Sequence, residues 1–133
     1  MSFLLDTDTC SAHLKRPSGL THRFIQHGGR LFLPTIVLGE LYVWAYMRHD
    51  PAPLLQSIND DLLRDVTVLD FDRDCAEAFG RTRAKLIGMG MTVSRLDLLI
   101  ASVALAHNLI LVTHNTAHFA SIPGLQIDDW LTP

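Results

Sequence analysis

Short apolar runs alternate along the chain with longer segments in which apolar side chains recur every three or four residues. The short runs predict strands at 3–5, 31–33, 66–69, 109–112 and 125–127. The longer segments predict helices at 8–15, 20–27, 35–48, 51–64, 72–86 and 94–107, with Thr35 as an N-cap. Strands that are apolar on both faces lie in parallel sheets covered by helices. The pattern therefore predicts an α/β fold, a three-layer α/β/α sandwich around a central parallel sheet, in one domain spanning 1–133.

Composition fits a small soluble domain. Of the 133 residues, 48% are hydrophobic and 19% are charged, which is enough to fill one core and argues against disorder. Two cysteines without CxxC spacing favour reduced thiols and a cytoplasmic location, and no apolar stretch is long enough to span a membrane. The net charge of −3 gives no electrostatic indication of nucleic-acid binding, so such a function would need a metal ion or a local basic patch.

Polar residues follow two of the predicted strands directly. Asp6 comes after the apolar run FLL, and Thr113, His114 and Asn115 come after LILV. Ligands of an open parallel sheet bind beyond the carboxyl ends of its strands. These positions are therefore the first place to expect a functional site.

Glu40 stands on a helix face that is otherwise apolar. Its neighbours three and four residues away are Ile36, Val37, Val43 and Trp44. An uncompensated carboxylate in such surroundings costs several kcal/mol or stays protonated. The pattern is compatible with a salt bridge to an arginine elsewhere and equally with a functional site.

Three further acids have a structural interpretation beside the functional one. Ser94 and Asp97 have the spacing of a capping box, although Asp97 also lies among apolar neighbours. Asp6 can cap the helix that follows it, and Asp8 is best explained as an N-cap or a solvent-facing turn residue. Considered together, Asp6, Glu40 and Asp97 can converge at one end of the sheet, where Mg²⁺ or Mn²⁺ would relieve their mutual repulsion.

At this point the sequence resembles a known family. The order LLDT, TIVLGEL, SRLDLLIASVAL, LVTHN and PGLQIDDW is similar to that of PIN domains of VapC-type toxins, over nearly the whole chain. The resemblance implies a cytoplasmic endoribonuclease that depends on Mg²⁺ or Mn²⁺ and uses no nucleotide cofactor. It also implies that the protein hydrolyses RNA phosphodiester bonds as the toxin of a toxin–antitoxin pair, with a small antitoxin protein and a second copy of itself as partners.

The resemblance also assigns roles to individual residues. Asp6, Glu40 and Asp97 match the acids that bind metal. Asn115 occupies a fourth position that is often Asp in the family, and its amide oxygen can ligate a metal but brings no charge. Thr113 matches a supporting polar residue beside the site. A metal-bound water of lowered pKa would attack the phosphodiester. The resemblance leaves open whether one metal ion or two take part.

Several other residues are open to two interpretations. His114 and His118 can contact phosphate or form a surface pair on a short helix. Arg81 and Arg83 are candidate RNA-binding residues, or part of a solvated helix face, and Arg95 is a candidate because it adjoins Asp97 in sequence.

The helix at 35–48 is apolar on nearly all sides. Tyr42, Trp44 and Tyr46 alternate there with Val43 and Ala45. Such a helix is either wholly covered by the domain core or covered on one side by a dimer or antitoxin interface.

Three alternative functions remain. The run DTDTC after a strand resembles the start of haloacid-dehalogenase-type phosphatases, but Cys10 replaces the expected Thr or Val and neither Lys15 nor Lys85 follows a strand. A response-regulator receiver would need a lysine after a late strand, and LVTHN has none. Asn115 keeps open a catalytically degenerate PIN-fold binding module, which metal-dependent RNA cleavage would eliminate.

Overall fold

The computed structural model describes residues 1–132, apart from the side chains of residues 17 and 18. Five strands are formed: β1 (Phe3–Leu5), β2 (Leu31–Pro34), β3 (Thr67–Leu69), β4 (Ile110–Val112) and β5 (Ile127–Asp128). They build one sheet in the order β3-β2-β1-β4-β5, and every neighbouring pair is parallel. All residues of β1 and β4 are buried, as expected for central strands covered on both faces. The predicted α/β/α architecture is confirmed, while the single-domain extent of 1–133 stays a prediction and residue 133 lies outside the described residues.

Helices connect the strands. They are α1 (Thr7–Lys15), α2 (Pro17–Gln26), α3 (Thr35–Tyr46), α4 (Ala52–Ser57), α5 (Arg73–Gly88), α6 (Arg95–His107) and α7 (Thr116–Phe119). A π-helical turn, Ile58–Leu63, continues α4 where the sequence predicted uninterrupted α-helix. The prediction of Thr35 as an N-cap was wrong, because Thr35 is the first helical residue and Pro34 occupies the capping position. The four-residue α7 was not predicted as a separate element, since it is too short to show a helical period.

The end of α6 leads directly into β4. Asn108 caps α6 with a φ of 55°, and its backbone N–H donates to the Ala104 carbonyl. Asparagine tolerates this left-handed conformation better than most residues, so it ends the helix sharply. The turn returns the chain to Ile110 and thereby brings Thr113, at the far end of β4, to the sheet edge beyond β1.

Candidate active site

Asp6 and Thr113 lie side by side because their strands are neighbours. Leu5 pairs with Val112 at the ends of β1 and β4, and the backbone N–H of Asp6 donates to the Val112 carbonyl at 3.0 Å. The Thr113 hydroxyl donates to Oδ2 of Asp6 at 2.8 Å. Asp6 is 5% exposed and Thr113 is fully buried. A strand-end carboxylate is therefore held almost out of water by a neighbouring strand end.

Burial raises the pKa of Asp6 to about 6. The hydrogen bonds from the Thr113 hydroxyl and the Thr7 backbone lower this pKa, and the negative charges of Asp8 and Asp97 raise it. These two charges act on Asp6 because all three carboxylates lie in the same region. A bound cation would compensate both the lost solvation and the repulsion.

Glu40 is fixed to this region through Thr7, the residue that follows Asp6. The Thr7 hydroxyl donates to Oε1 of Glu40 at 2.6 Å. Along residues 1–132, Glu40 forms no salt bridge, so the alternative of an arginine partner was wrong. The Thr7 hydroxyl thus compensates one oxygen of the Glu40 carboxylate for its lost solvation. This bond also connects α3, which carries Glu40, to the start of α1.

The backbone of Asp97 takes part in the N-cap of α6, whereas its side-chain carboxylate lies toward α7. Its N–H donates to the Ser94 hydroxyl at 3.2 Å, so Ser94 is the N-cap of α6. Its Oδ2 lies 3.4 Å from Nδ1 of His118 on α7. The capping interpretation therefore holds for Ser94 and leaves the Asp97 carboxylate available to a ligand.

Asp8 is a residue of this region that sequence reasoning set aside. The prediction that it is an N-cap or a solvent-facing turn residue was wrong. Asp6 caps α1 by accepting from the Thr7 N–H at 2.7 Å, and Asp8 lies partly buried within the first turn of α1. Oδ2 of Asp8 accepts from the backbone N–H of His114 at 2.9 Å and so ties the segment after β4 to α1. The available signal was an acid three residues after the end of β1 and two residues after Asp6.

The segment after β4 is organised by Thr113. Its Oγ1 accepts from the backbone N–H of Asn115 at 3.1 Å while it donates to Asp6. Asn115 is exposed and precedes α7 without capping it through its side chain. His114 contacts Asp129, with its Nδ1 3.1 Å from Oδ2, whereas His118 contacts Asp97. Of the two histidines, only His118 contacts a predicted metal-binding acid.

The three arginines do not form one patch. Arg83 and Arg95 line the same cleft between the end of α5 and the start of α6. Arg81 forms an ion pair with Glu77, with Nη2 3.1 Å from Oε2, and lines a different cleft with Lys85. Arg95 is two residues from Asp97 in sequence, so the Arg83–Arg95 cleft borders the helix turn that also carries Asp97, although none of the acids lines the cleft itself.

Comparison with known proteins decides the family. A family model described as PIN domain matches residues 3–125. The chain belongs to the PIN-domain family. The PIN assignment excludes the phosphatase and receiver alternatives and agrees with the parallel sheet whose strand ends carry the acids.

Relatives that match nearly the whole of this PIN-domain chain are named as ribonucleases. It is 34% identical over 131 residues to a "tRNA(fMet)-specific endonuclease VapC" of Shigella flexneri, with 98% of each chain covered. It is 31% identical over 132 residues to "Ribonuclease VapC2" of Haemophilus influenzae, with 98% of this chain and 99% of that protein covered. The prediction of a PIN-domain endoribonuclease of the toxin class is confirmed by these relatives.

Solved structures support the same family assignment. The DNA-bound VapBC complex from Salmonella typhimurium contains a chain with a TM-score of 0.91 and 34% identity, covering 98% of both chains. VapBC2 from Rickettsia felis bound to a promoter DNA fragment gives a TM-score of 0.89 at 28% identity, covering 98% of this chain and 99% of that one. Within the described part of this PIN domain, no helix is long and apolar enough to cross a membrane.

Proposed function

We propose that the protein cleaves RNA endonucleolytically with a divalent cation, Mg²⁺ or Mn²⁺, held by Asp6, Glu40 and Asp97. The observation that carries this proposal is the buried carboxylate of Asp6, which has hydroxyl and amide donors and two like charges nearby. Sites made of several carboxylate oxygens, such as those of Asp6, Glu40 and Asp97, suit hard divalent cations. Asn115, whose backbone N–H donates to Thr113, is proposed to supply its amide oxygen as a fourth, uncharged ligand.

The chain's own residues prepare this chemistry. Thr113 and Thr7 fix the orientations of Asp6 and Glu40 by donating one hydrogen bond to each. Asp8 holds the His114 backbone, and through it the segment that carries Asn115. When bound, the metal supplies Lewis acidity toward the phosphodiester and lowers the pKa of water.

His118 and Arg95 are proposed to act on the RNA. His118 contacts Asp97 and, when protonated, can donate to a phosphate oxygen or to the leaving group. Arg95 and Arg83 line a cleft beside the start of α6, where guanidinium groups attract the phosphate backbone. These cations offset locally the net charge of −3 that opposes RNA binding.

The substrate proposal is a transfer RNA. The Shigella flexneri relative is named as specific for tRNA(fMet), and it covers 98% of this chain. We therefore take initiator tRNA as the first substrate for this protein. The proposed location is the cytoplasm, where that RNA is found.

The decisive experiment is incubation of the purified protein with initiator tRNA and with total RNA, in Mg²⁺, in Mn²⁺ and in chelator. We expect cleavage only with a cation, and none from Asp97→Asn. Asp60→Asn is the matched control, since Asp60 is exposed on the π-helical turn and contacts Gln56. Cleavage that persists in chelator or in Asp97→Asn would remove the proposal. A folded protein that cleaves no RNA under any of these conditions would instead support the degenerate binding module.

Exposed apolar residues on α3 and just beyond it indicate a surface for protein partners. Val43, Tyr46 and Met47 are 59%, 66% and 81% exposed, so the domain core covers only part of this segment. We propose that a second copy of the chain and a small antitoxin cover this apolar surface; the similar solved structures from Salmonella typhimurium and Rickettsia felis are VapBC complexes. Light scattering after size-exclusion chromatography should give a dimer mass, and a monomer at micromolar concentration would contradict the homodimer.

A further inference from the structure

A second group of potential ligands lies away from the nuclease acids. Asp72 caps α5, Cys75 lies in the first turn of α5, and His107 ends α6, which packs against α5. One ligand atom from each side chain lies within 4.8 Å of the other two. The group thus offers oxygen, sulfur and nitrogen donors from the start of one helix and the end of its neighbour.

Asp72 accepts the capping hydrogen bond of the Cys75 N–H, but one nitrogen of this group has no hydrogen-bond partner. Nε2 of His107 is buried and has no hydrogen-bond partner. The nearest Asp72 oxygen, Oδ2, is 3.4 Å away, compared with about 2.9 Å for an ordinary N–H···O bond. Adjacent ligand atoms around a tetrahedral zinc ion, with metal–ligand bonds of about 2.0–2.3 Å, are separated by roughly 3.3–3.8 Å. The observed separation fits two ligands of one ion better than a donor and its acceptor.

We propose that Asp72, Cys75 and His107 form a site for a borderline divalent cation, Zn²⁺ in the first place. A mixed sulfur, nitrogen and oxygen donor set selects such ions over Mg²⁺. The Asp72 side chain is 46% exposed, so the ion has a path from solvent and a fourth position open to water. This site is separate from the all-oxygen nuclease site and does not depend on it.

Binding at this site must displace a proton. Burial and the neighbouring Asp72 raise the pKa of the Cys75 thiol to about 11. The groups that act on the thiol are Asp72 and Asp74, while His107 faces Asp72 from α6. Cysteine ligates zinc as the thiolate, so the affinity should rise with pH and each ion bound should release the thiol proton.

The consequence of occupancy would be a cross-link between two helices. The ion would join the start of α5 to the end of α6, whereas Asp97 lies at the opposite end of α6. Zinc bound to the folded state alone raises stability according to its concentration and affinity. The expected role is structural, since no nuclease residue belongs to the group.

Cobalt is the most direct probe, because a cobalt–thiolate bond gives a charge-transfer absorption that oxygen ligands do not give. The full chain is stripped with chelator, dialysed and titrated with Co²⁺. We expect this absorption to saturate at one equivalent and to be displaced by Zn²⁺. It should disappear in Cys75→Ser, weaken by more than about tenfold in affinity in His107→Gln, and persist in Cys10→Ser, the other buried cysteine.

Two further measurements separate this site from the nuclease site. Asp6→Asn should retain the cobalt absorption, because Asp6 belongs to the other site. Zn²⁺ should raise the melting temperature of Asp6→Asn but not of Cys75→Ser. Absence of the absorption in the folded wild-type chain, or its survival in Cys75→Ser, would overturn the proposal, whatever the RNA cleavage assay gives.

Discussion

Replacement of Asp6 by asparagine should stabilise the metal-free protein while abolishing RNA cleavage. Asparagine keeps an oxygen that accepts from the Thr7 N–H, and its amide can donate to Thr113 Oγ1, so the local hydrogen bonds survive. What disappears is the charge. Raising the pKa of Asp6 from 3.8 to about 6 corresponds to about 3 kcal/mol of stability lost by the ionised folded state.

The pH dependence fixes the sign of this effect. Near pH 3 the carboxyl is largely protonated in both the folded and the unfolded chain, so its charge costs nothing. Between about pH 4 and pH 6 the unfolded chain ionises first, and the folded wild type loses stability as the pH rises. Above about pH 6 the carboxyl is ionised in both states, and the loss of folding stability no longer changes with pH. Asparagine does not titrate, so the advantage of the variant should open over this window and then stay constant.

Thermal melts in chelator provide the assay. For a chain of this length, about 3 kcal/mol corresponds to about 10 °C in melting temperature. We expect Asp6→Asn to melt higher than wild type near pH 7.5 by up to this amount, and by much less near pH 4. Added Mg²⁺ should raise the melting temperature of wild type only. An equal difference at both pH values, or a variant less stable at pH 7.5, would refute the assignment of Asp6 as a buried, uncompensated acid.

Three further predictions test the surroundings of the site. Thr113→Val should reduce cleavage by about 10–100-fold, because it removes the donor to Asp6; activity equal to wild type in a folded variant would contradict this. Arg95→Ala should raise KM for RNA and reduce its salt dependence, whereas Arg81→Ala should leave both within about twofold, as steady-state kinetics at two salt concentrations would show. Leu111→Ala in the buried centre of β4 should cost about 2–5 kcal/mol in urea unfolding, and a loss below about 1 kcal/mol would show that the site had collapsed around the smaller side chain.

The sheet was predictable from sequence because its central strands are continuous apolar runs. The residues 3–5 of β1 were predicted without error, and β4 begins one residue later than predicted and ends where predicted. What the pattern could not give was the π-helical turn after α4, because one extra residue per turn barely changes the apolar spacing over so short a segment. The short α7 escaped for the related reason that one helical turn shows no period.

The site was predictable where chain position constrains it. Asp6 and Thr113 follow strands, and parallel pairing of those strands brings them into contact. Asp8 escaped because a polar residue in the first turn of a helix has a sufficient local explanation, and its bond to His114 joins residues 106 positions apart. Likewise, no local pattern could name a threonine hydroxyl as the partner of Glu40.

The N-cap and first turn of α1 make four attachments to three segments, which are the end of β4, α3 and the chain that leads into α7. Asp6 accepts from the end of β4, Thr7 reaches α3, Asp8 holds the segment that leads into α7, and the Thr9 hydroxyl donates to the Val112 carbonyl. The geometry of the reaction centre therefore depends on the position of a single nine-residue element. A partner that shifts α1 along its axis would misalign every one of these attachments together, and so could silence the enzyme from outside the cleft without entering it.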